Sequence, residues 1–570
     1  MPVHAPYRKV FLSLLHRFLV YTGPVTMLCI VTPQSGQAII HYVRTNGAPT
    51  GDGLSWATAS NNLQFMINIS GSGDQVWVAS GTYYPAYFPP GITAADATDP
   101  RNKTFYLKEN VTLYGGFAGT ETSLNQRNIQ LYPTILSGNI GNLNSTNDNA
   151  YHVVLMTNFY YDENVGTFTL DGFTVLDGNA NGNSSIQLTN GSYTKLLEKE
   201  YGGGIYANLS IYFNLNTYSY VHSGIARLEN NIIKNNRANF GAGVTIRKGE
   251  GNMNFNTVKD NYADNDFGGA YMDGGYNILR HNQFIGNNAF KIGGGMGSIV
   301  SGEQTFQSWG LSLESNVFKD NHAKKGGGLY LHDYGDFETS GPISFLTNNV
   351  FYANTADTAG AIYAAKFASI YYCTITLNRA NYAAGILKET ANGSNGQSYL
   401  SNTILYRNTL PDLVTPSDLI VIGQLTTSNL LMSDPLFGNI NDPAGSDGQY
   451  GTFDDGLVPQ TGSAAINNGN SNLIMDITGR ARNQPDIGAY EFACLYSITH
   501  QISDLIYPTL YPYFSYNEIH SSATIVSQQP CILCLTTVYE AGQYVQLDPG
   551  FTVQNNTDFL IIIDPDGCPY

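Results

Sequence analysis

Charged side chains make up only 12% of this 570-residue chain, and basic residues are the scarcer class. The 27 lysines and arginines are outnumbered by 44 aspartates and glutamates, which leaves a formal net charge of −17. Nucleic acids and anionic membrane surfaces attract basic protein faces, so this shortage argues against both as partners. A low charged fraction with 60 glycines also suits a stacked sheet with many turns better than a helical protein.

Long apolar runs are rare in the sequence. The run from Phe18 to Val31 follows a basic segment that ends at Arg17, and the small residues Gly36-Gln37-Ala38 come after it. This order is typical of an export signal over residues 1–38. A membrane anchor is the alternative, but Pro24 interrupts the run and a span needs about 20 apolar residues. We expect a secreted or cell-surface protein with no membrane span after signal removal.

Cysteines are also few. Of the six, one lies in the predicted signal and four are late: Cys494, Cys531, Cys534 and Cys568. In an exported protein, the late four would most naturally form two disulfides. A zinc site or a redox pair at Cys531 and Cys534 is the alternative, but no second pair of ligands accompanies them. Cys373 is expected to be a buried free thiol.

One short phrase recurs between Leu228 and Ala384: Asn, any residue, a large apolar residue, two more, Asn, any residue, Ala. The alanines are residues 238, 263, 289, 323, 356 and 380, so the repeat length varies between 24 and 34 residues. An asparagine stands two positions before every alanine: Asn236, Asn261, Asn287, Asn321, Asn354 and Asn378. Seven positions before it stands Asn231, Asn256, Asn282, Asn316, Asn349 or, once, Cys373.

A repeat of this length indicates a solenoid, because each unit is too short to bury its own core. Equivalent residues on successive coils then lie about 4.8 Å apart, the spacing of paired strands. The asparagines would stack into a ladder of amides inside the turn. Asparagine also accepts the left-handed backbone conformation that tight turns need.

The asparagine ladder resembles that of the pectin-lyase-like superfamily, as do the phrases Gly202–Tyr206, Gly326–Tyr330 and Asp486–Glu491. The resemblance implies an all-β chain folded as a right-handed parallel β-helix. An up-and-down antiparallel sandwich is the alternative fold, but it would not need one asparagine column at a fixed offset.

We expect four regions along the chain. A signal peptide over 1–38 precedes an N-terminal cap with the first coils over 39–165, and the main β-helix spans 166–492. Residues 187–200 break the pattern and are expected to protrude as a loop. The cysteine-containing region 493–570 includes Gly542–Phe551, which resembles a small β-rich C-terminal module of secreted surface proteins.

Candidate catalytic residues follow from the repeat, since a fixed offset becomes a column in space. Lys291 and Lys325 are expected on adjacent coils, and His322 lies close to the second of them. A lyase acting on an acidic sugar needs a cation beside the substrate carboxylate and a base for the neighbouring proton. Solvated lysines beside a glycine-rich turn are the competing interpretation.

A candidate metal site lies in the loop that holds Asp442, Asp447, Asp454 and Asp455. Calcium takes six to eight oxygen ligands from flexible acidic loops of this kind. The loop lacks the full EF-hand spacing, and an acidic surface turn is the alternative.

Two functions remain open from the sequence. The first is a non-catalytic, monomeric surface protein that binds a polysaccharide or cell-surface glycan. The second is an extracellular polysaccharide lyase or glycoside hydrolase. The lack of a clear acid-base cluster favours the first function. A groove lined by Lys291, Lys325 and carboxylates would favour the second, and an uncharged face would favour binding.

Overall fold

The computed structural model describes residues 38–159, 166–214, 219–222, 224–300, 310–333, 344–365, 367–389, 398–470, 473, 475–482 and 484–492, and a set of strands between 499 and 563. Nearly all of the predicted signal peptide and the four late cysteines lie outside these residues. In the described part of the chain, no helix is long and apolar enough to span a membrane.

The chain winds into coils that each contribute up to four short strands. One coil illustrates the pattern, with strands Tyr276–Arg280, Gln283–Ile285, Asn288–Ala289 and Met296–Val300. Each strand pairs in parallel with its equivalents on the coils before and after it. The predicted all-β, parallel β-helix fold is therefore confirmed.

Four sets of parallel strands follow the solenoid and are named here the first to fourth sheets. The first sheet contains Ile40–Ala48, Gln75–Ala79, Thr112–Phe117, Gly166–Asp171, Gly224–Glu229, Glu250–Asn254, Tyr276–Arg280, Gly310–Glu314, Ser344–Thr347, Ala368–Tyr371, Tyr399–Tyr406 and Thr426–Leu431. The second sheet contains Gly81–Tyr83, Thr134–Ser137, Phe173–Leu176, Ile232–Lys234, Thr257–Lys259, Gln283–Ile285, Val317–Lys319, Val350–Tyr352 and Thr374–Thr376. The long strand Tyr399–Tyr406 pairs with both of these sheets.

The other two sheets complete each coil. The third sheet contains Asn179–Ala180, Arg237–Phe240, Tyr262–Asp266, Asn288–Ala289, His322–Lys325, Thr355–Thr358 and Arg379–Tyr382. The fourth contains Phe105–Tyr106, Val154–Thr157, Ile205–Asn208, Val244–Arg247, Ala270–Asp273, Met296–Val300, Leu329–Asp333, Ile362–Ala364, Ile386–Glu389 and Leu419–Ile422.

Asparagines turn the chain at two corners of each coil. The first corner, between the first and second sheets, has a left-handed residue followed by a ladder asparagine, as at His281 and Asn282. The second corner, between the second and third sheets, repeats this arrangement at Asp320 and Asn321. The left-handed conformation lets the chain turn sharply, while the next side chain points inward to the ladder.

Aliphatic and aromatic side chains fill the interior of the coils. Phe284, Phe318 and Phe351 stack at centroid distances of 4.8 and 4.7 Å, because the register brings them above one another. The tyrosines after the glycine runs alternate with core residues along their strands and are buried in separate clusters outside this interior, where Tyr330 stacks on Tyr363 at 4.8 Å. Both columns follow from stacking equivalent residues on successive coils.

The start of the solenoid is covered by an α-helix, Leu63–Ile69, whose N-cap Asn62 accepts a hydrogen bond from the backbone of Phe65. Its residues Leu63, Met66 and Ile67 pack into the core of the first coils. Short 3-10 turns follow at Asp96–Thr98, Pro100–Asn102 and Leu124–Gln126.

The prediction of a loop at residues 187–200 was wrong. The segment belongs to an antiparallel hairpin, Ser185–Asn190 with Tyr193–Glu198. Leu188 and Leu197 are buried, so the base of the hairpin packs against the body of the protein, while its turn at residues 189–194 is exposed. Ile211–Asn214 and Ser219–His222 form a second hairpin.

At the other end, the segment 434–492 packs along the first corner of the last coils and is named here the closing segment. Arg482 is buried in it and donates a hydrogen bond of 3.0 Å to Asn348 Oδ1. The backbone amide of Ala489 donates to Thr374 Oγ1 at 3.0 Å. These contacts tie the closing segment to side chains of two different coils.

The C-terminal module is a second, smaller set of parallel coils. Its strands form three three-stranded parallel sheets, which do not pair with the long sheets in the part of the chain described. The first coil has Thr499–Ile502, Leu505–Ile506 and Tyr513–Ser515; the second has Glu518–Ser521, Thr524–Ile525 and Thr537–Ala541; the third has Tyr544–Leu547, Thr552–Val553 and Phe559–Ile563. The predicted β-rich module is thus a short solenoid.

Candidate functional site

The predicted lysine column lies on the third sheet and its border. The two lysines are on adjacent coils as predicted but are one residue out of register, because the backbone amide of Lys325 donates to the carbonyl of Lys291 at 3.0 Å and Lys325 pairs with Ile292. The ammonium of Lys325 lies 3.8 Å from the ring centroid of Tyr363 and 3.9 Å from Glu389 Oε2. Lys325 is therefore engaged by an aromatic ring and a carboxylate of its own chain.

His322 lies at the other end of the same strand and contacts a different partner. Its Nδ1 is 2.9 Å from Thr355 Oγ1 on the next coil. The column through His322 continues as Asn288 on one side and Thr355 and Arg379 on the other, without a carboxylate. The structure thus places no acid beside His322 in this column, and Lys325 has its own contacts elsewhere.

The acidic loop uses its carboxylates to hold its own backbone. Asp454 accepts hydrogen bonds from Ser446 Oγ and Thr452 Oγ1, which lower its pKa to about 2. Burial raises the pKa of Asp455 to about 6, although Tyr490 donates a 2.6 Å hydrogen bond to it. Over the described residues, no three His, Cys, Asp or Glu side chains are grouped to hold a metal ion.

The other two carboxylates of this loop, Asp442 and Asp447, form fewer hydrogen bonds within it than Asp454 and Asp455. Asp447 accepts a hydrogen bond from the backbone of Gln449 at 2.7 Å, and Asp442 borders a shallow cavity beside Asp454. Calcium binding by Asp442, Asp447, Asp454 and Asp455 stays a prediction.

A groove of about 720 Å³ lies elsewhere, over the outside of the first corner and the second sheet. It extends over five successive coils, whose corner residues are Gly172, Asn230, Phe255, His281 and Ser315. The adjoining second-sheet positions are Thr174, Ile232, Thr257, Gln283 and Val317, which pair in register. With strands about 4.8 Å apart, five coils span roughly 19 Å.

Two segments that are distant in sequence border this groove. Ile129, Gln130 and Pro133 come from a loop of the early coils, and residues 449–452 come from the closing segment. A Cβ built on Gly172 would lie 2.8 Å from Ile129 Cγ2, so that loop packs tightly on the first of the five coils. Tyr450 packs with Val317 on the last of them. The groove is thus bounded at both ends.

An aromatic pair stands in the middle of the groove. The Phe255 and His281 rings are 4.8 Å apart between centroids and inclined by only 2°. Phe255 is 60% exposed, and burial lowers the pKa of His281. The pair offers a flat aromatic stacking surface to a ligand.

The surroundings of the pair are polar but uncharged. Among the described residues that line the groove, none is Asp, Glu, Lys or Arg. Amide and hydroxyl side chains predominate: Gln130, Asn230, Thr257, Gln283, Ser315, Gln449 and Thr452. Such side chains both donate and accept hydrogen bonds, so they suit a ligand rich in hydroxyl groups.

The solved structures to which this chain is similar include three polysaccharide lyases, each with a low TM-score. Pectate lyase Pel9A has 13% identity and a TM-score of 0.33, with 80% of this chain and 98% of its own covered. A rhamnogalacturonan lyase has 12% identity and a TM-score of 0.32 over 74% and 97%. The PL6 family alginate lyase AlyGC has 11% identity and a TM-score of 0.30 over 92% and 75%. No family model and no curated protein sequence matches the chain.

The parallel register of this chain's own coils decides its fold class. The chain has a parallel β-helix fold. One β-helix scaffold can carry different activities, so the fold by itself does not define the function. The function depends on the side chains that line the groove and on the candidate catalytic side chains.

The groove residues were not among the candidates taken from the sequence. The candidate catalytic residues stand within two residues of the repeat alanine, whereas Phe255 and His281 each stand eight positions before it. The sequence does contain a pattern that could have identified Phe255 and His281, because each directly precedes an asparagine of the first ladder, Asn256 or Asn282. The walls of the groove have no such local signal.

Proposed function

We propose that this β-helix is a non-catalytic protein of the cell exterior that binds a glycan in the groove around Phe255 and His281. The observation that carries the proposal is the combination of a stacked aromatic pair with amide and hydroxyl side chains. Sugar rings present apolar C–H faces and a rim of hydroxyl groups, and both find partners in such a groove.

The candidate catalytic residues support binding over chemistry. A lyase needs a cation for the substrate carboxylate and a base at the adjacent proton. Lys325 already contacts Glu389 and Tyr363, whereas His322 contacts Thr355. The groove itself offers no carboxylate for acid-base work on a glycosidic bond among its described lining residues.

A polysaccharide panel tests this function on residues 39–570. Affinity electrophoresis measures retention, ultraviolet absorbance detects unsaturated uronides from a lyase, and a reducing-end assay detects hydrolysis. We expect retention by at least one polysaccharide and no product from any of them. The result follows from a groove that can bind hydroxyl groups but lacks acid and base side chains.

The Lys325→Ala variant is the control for chemistry. It removes the ammonium beside Tyr363 and Glu389, and we expect it to leave retention unchanged, since Lys325 is not among the groove residues. Product that appears with the unmodified chain and disappears in Lys325→Ala would make the protein a polysaccharide lyase or hydrolase instead.

A further inference from the structure

Phe255 occupies a corner position that disfavours its residue type. Its φ is 57°, in the left-handed region where asparagine and glycine are the usual residues. Other coils place Asn230, Ser315 and Asn348 at the equivalent corner. The left-handed backbone destabilises phenylalanine at this position. Because its side chain is 60% exposed, burial of apolar surface offsets little of that cost. Because this exposed ring is stacked on His281 inside a concave groove, it is a candidate contact for a ligand.

Another coil shows what an aromatic corner residue contacts when a partner is present. Tyr372 stands at the equivalent corner, with φ of 52°, and is only 1% exposed. The guanidinium of Arg482 covers it, with Cζ 4.5 Å from the ring centroid. The closing segment thus supplies a flat group to Tyr372, whereas the groove remains open around Phe255.

The groove leaves space on both sides of the aromatic pair. The neighbouring coils carry Asn230 and Ser315 at this corner, which are shorter than an aromatic side chain, and both line the groove. A ring-shaped ligand can therefore continue the stack formed by Phe255 and His281. A volume of about 720 Å³ lies within the range of small-ligand pockets.

The charge around the groove selects against an acidic ligand. Ion pairs next to the first corner are formed within the chain: Arg127 with Asp171 at 2.8 Å, Arg227 with Glu229 at 3.9 Å and Arg280 with Glu314 at 2.8 Å. Lys234 and Lys259 end two of the second-sheet strands, outside the lining of the groove. A ligand carboxylate that entered the groove would lose part of its hydration, and no cationic side chain among the lining residues would compensate for that loss.

We infer that the groove takes an uncharged oligosaccharide, with one sugar ring stacked on the Phe255–His281 pair and its hydroxyl groups bound by the surrounding amides and hydroxyls. This inference rests on the proposed function, because it names the chemical class of the glycan. It also makes Phe255 a binding residue without a structural role.

The decisive variant is Phe255→Asn, measured by isothermal titration with short neutral oligosaccharides of glucose, xylose and mannose. We expect affinity for the bound neutral sugar to fall at least about tenfold, since an aromatic anchor is removed. The Tm should stay the same or rise, because asparagine suits the left-handed corner. The matched control, Phe290→Asn, changes another exposed phenylalanine outside the groove and should leave affinity unchanged.

Uronic acid oligosaccharides of the same length test whether the groove prefers neutral or acidic sugars. We expect them to bind more weakly than the neutral ones, and the double variant Lys234→Gln with Lys259→Gln to leave neutral binding unchanged. Tighter binding of the acidic sugars, lost in the double variant, would overturn the inference of an uncharged ligand while a glycan-binding function survives.

Other outcomes distinguish failure of the inference about Phe255 from failure of the proposed glycan-binding function. If polysaccharides are retained but Phe255→Asn binds as well as the unmodified chain, the glycan site lies elsewhere and the inference fails. If Phe255→Asn lowers the Tm, the side chain is structural and the inference fails as well. Absence of retention by every polysaccharide in the panel would instead reject the proposed function itself.

Discussion

At the residue scale, each ladder asparagine serves as donor and acceptor at once. Asn321 Nδ2 donates to the carbonyl of Phe284 at 2.8 Å and to Asn354 Oδ1 at 2.9 Å. Its Oδ1 accepts from the backbone amide of Asn287 at 2.9 Å. A buried polar group without a partner costs about 1–3 kcal/mol. An amide that bonds to the coils on both sides therefore explains why one residue type fills the column.

Cys373 interrupts the first ladder and provides a test of this explanation. Its thiol is buried, its pKa is raised by burial to about 12, and its Sγ lies 3.8 Å from the carbonyl of Leu346. The equivalent asparagine, Asn349, donates to the carbonyl of Leu313 at 2.8 Å. We expect Cys373→Asn to restore the ladder and raise the free energy of unfolding by about 1 kcal/mol. Thermal unfolding measures the change.

Cys373→Ala is the matched control for that substitution. It removes the thiol but adds no amide, so it should not raise the Tm. A lower Tm for Cys373→Asn than for Cys373→Ala would show that the coil at this position cannot accommodate the amide.

At the element scale, the regular coils could be predicted from the sequence and the groove could not. Each second-corner asparagine keeps a fixed offset from an alanine, so Asn236 to Asn378 mark the coils directly. The walls of the groove, in contrast, come from residues 129–133 and 449–452, which no repeat connects to Phe255. The hairpin at 185–198 was missed because its antiparallel pairing departs from the repeat.

A buried histidine just before the fourth-sheet strand Val154–Thr157 makes stability depend on pH. The ring of His152 lies 4.9 Å from that of Tyr206 and is tilted by 40°, and burial lowers the pKa of His152 to about 4, against about 6.5 in an unfolded chain. Between these values the unfolded state binds a proton that the folded state does not. The free energy of unfolding should therefore fall as pH decreases through this window, by at most about 3 kcal/mol.

The variant His152→Gln isolates this contribution. Urea unfolding at about pH 7.5 and about pH 5 should show a larger loss of stability for the unmodified chain than for His152→Gln. If the free energy of unfolding fell equally in both proteins, the pH dependence would come from other groups, such as the carboxylates, and not from His152.

At the scale of the whole molecule, a solenoid has to close both ends of its sheets. Exposed strand edges would otherwise pair with further chains. The helix Leu63–Ile69 packs into the first coils, and the closing segment packs along the last ones through Arg482 and Ala489. The main β-helix therefore contains its own terminal structures by Phe492, before the C-terminal coils begin.

This closure predicts the effect of ending the chain at Phe492. The strands after Thr499 pair among themselves in three separate parallel sheets. Stability in stacked-coil proteins comes from each coil and its nearest neighbours, so coils that share no strand pairing should unfold separately. We expect the truncated chain to keep the main thermal transition of residues 39–570 and its affinity for neutral oligosaccharides. A main transition shifted to lower temperature would instead show that the C-terminal coils stabilise the β-helix through side-chain contacts, and the two solenoids would then have to be treated as one cooperative unit.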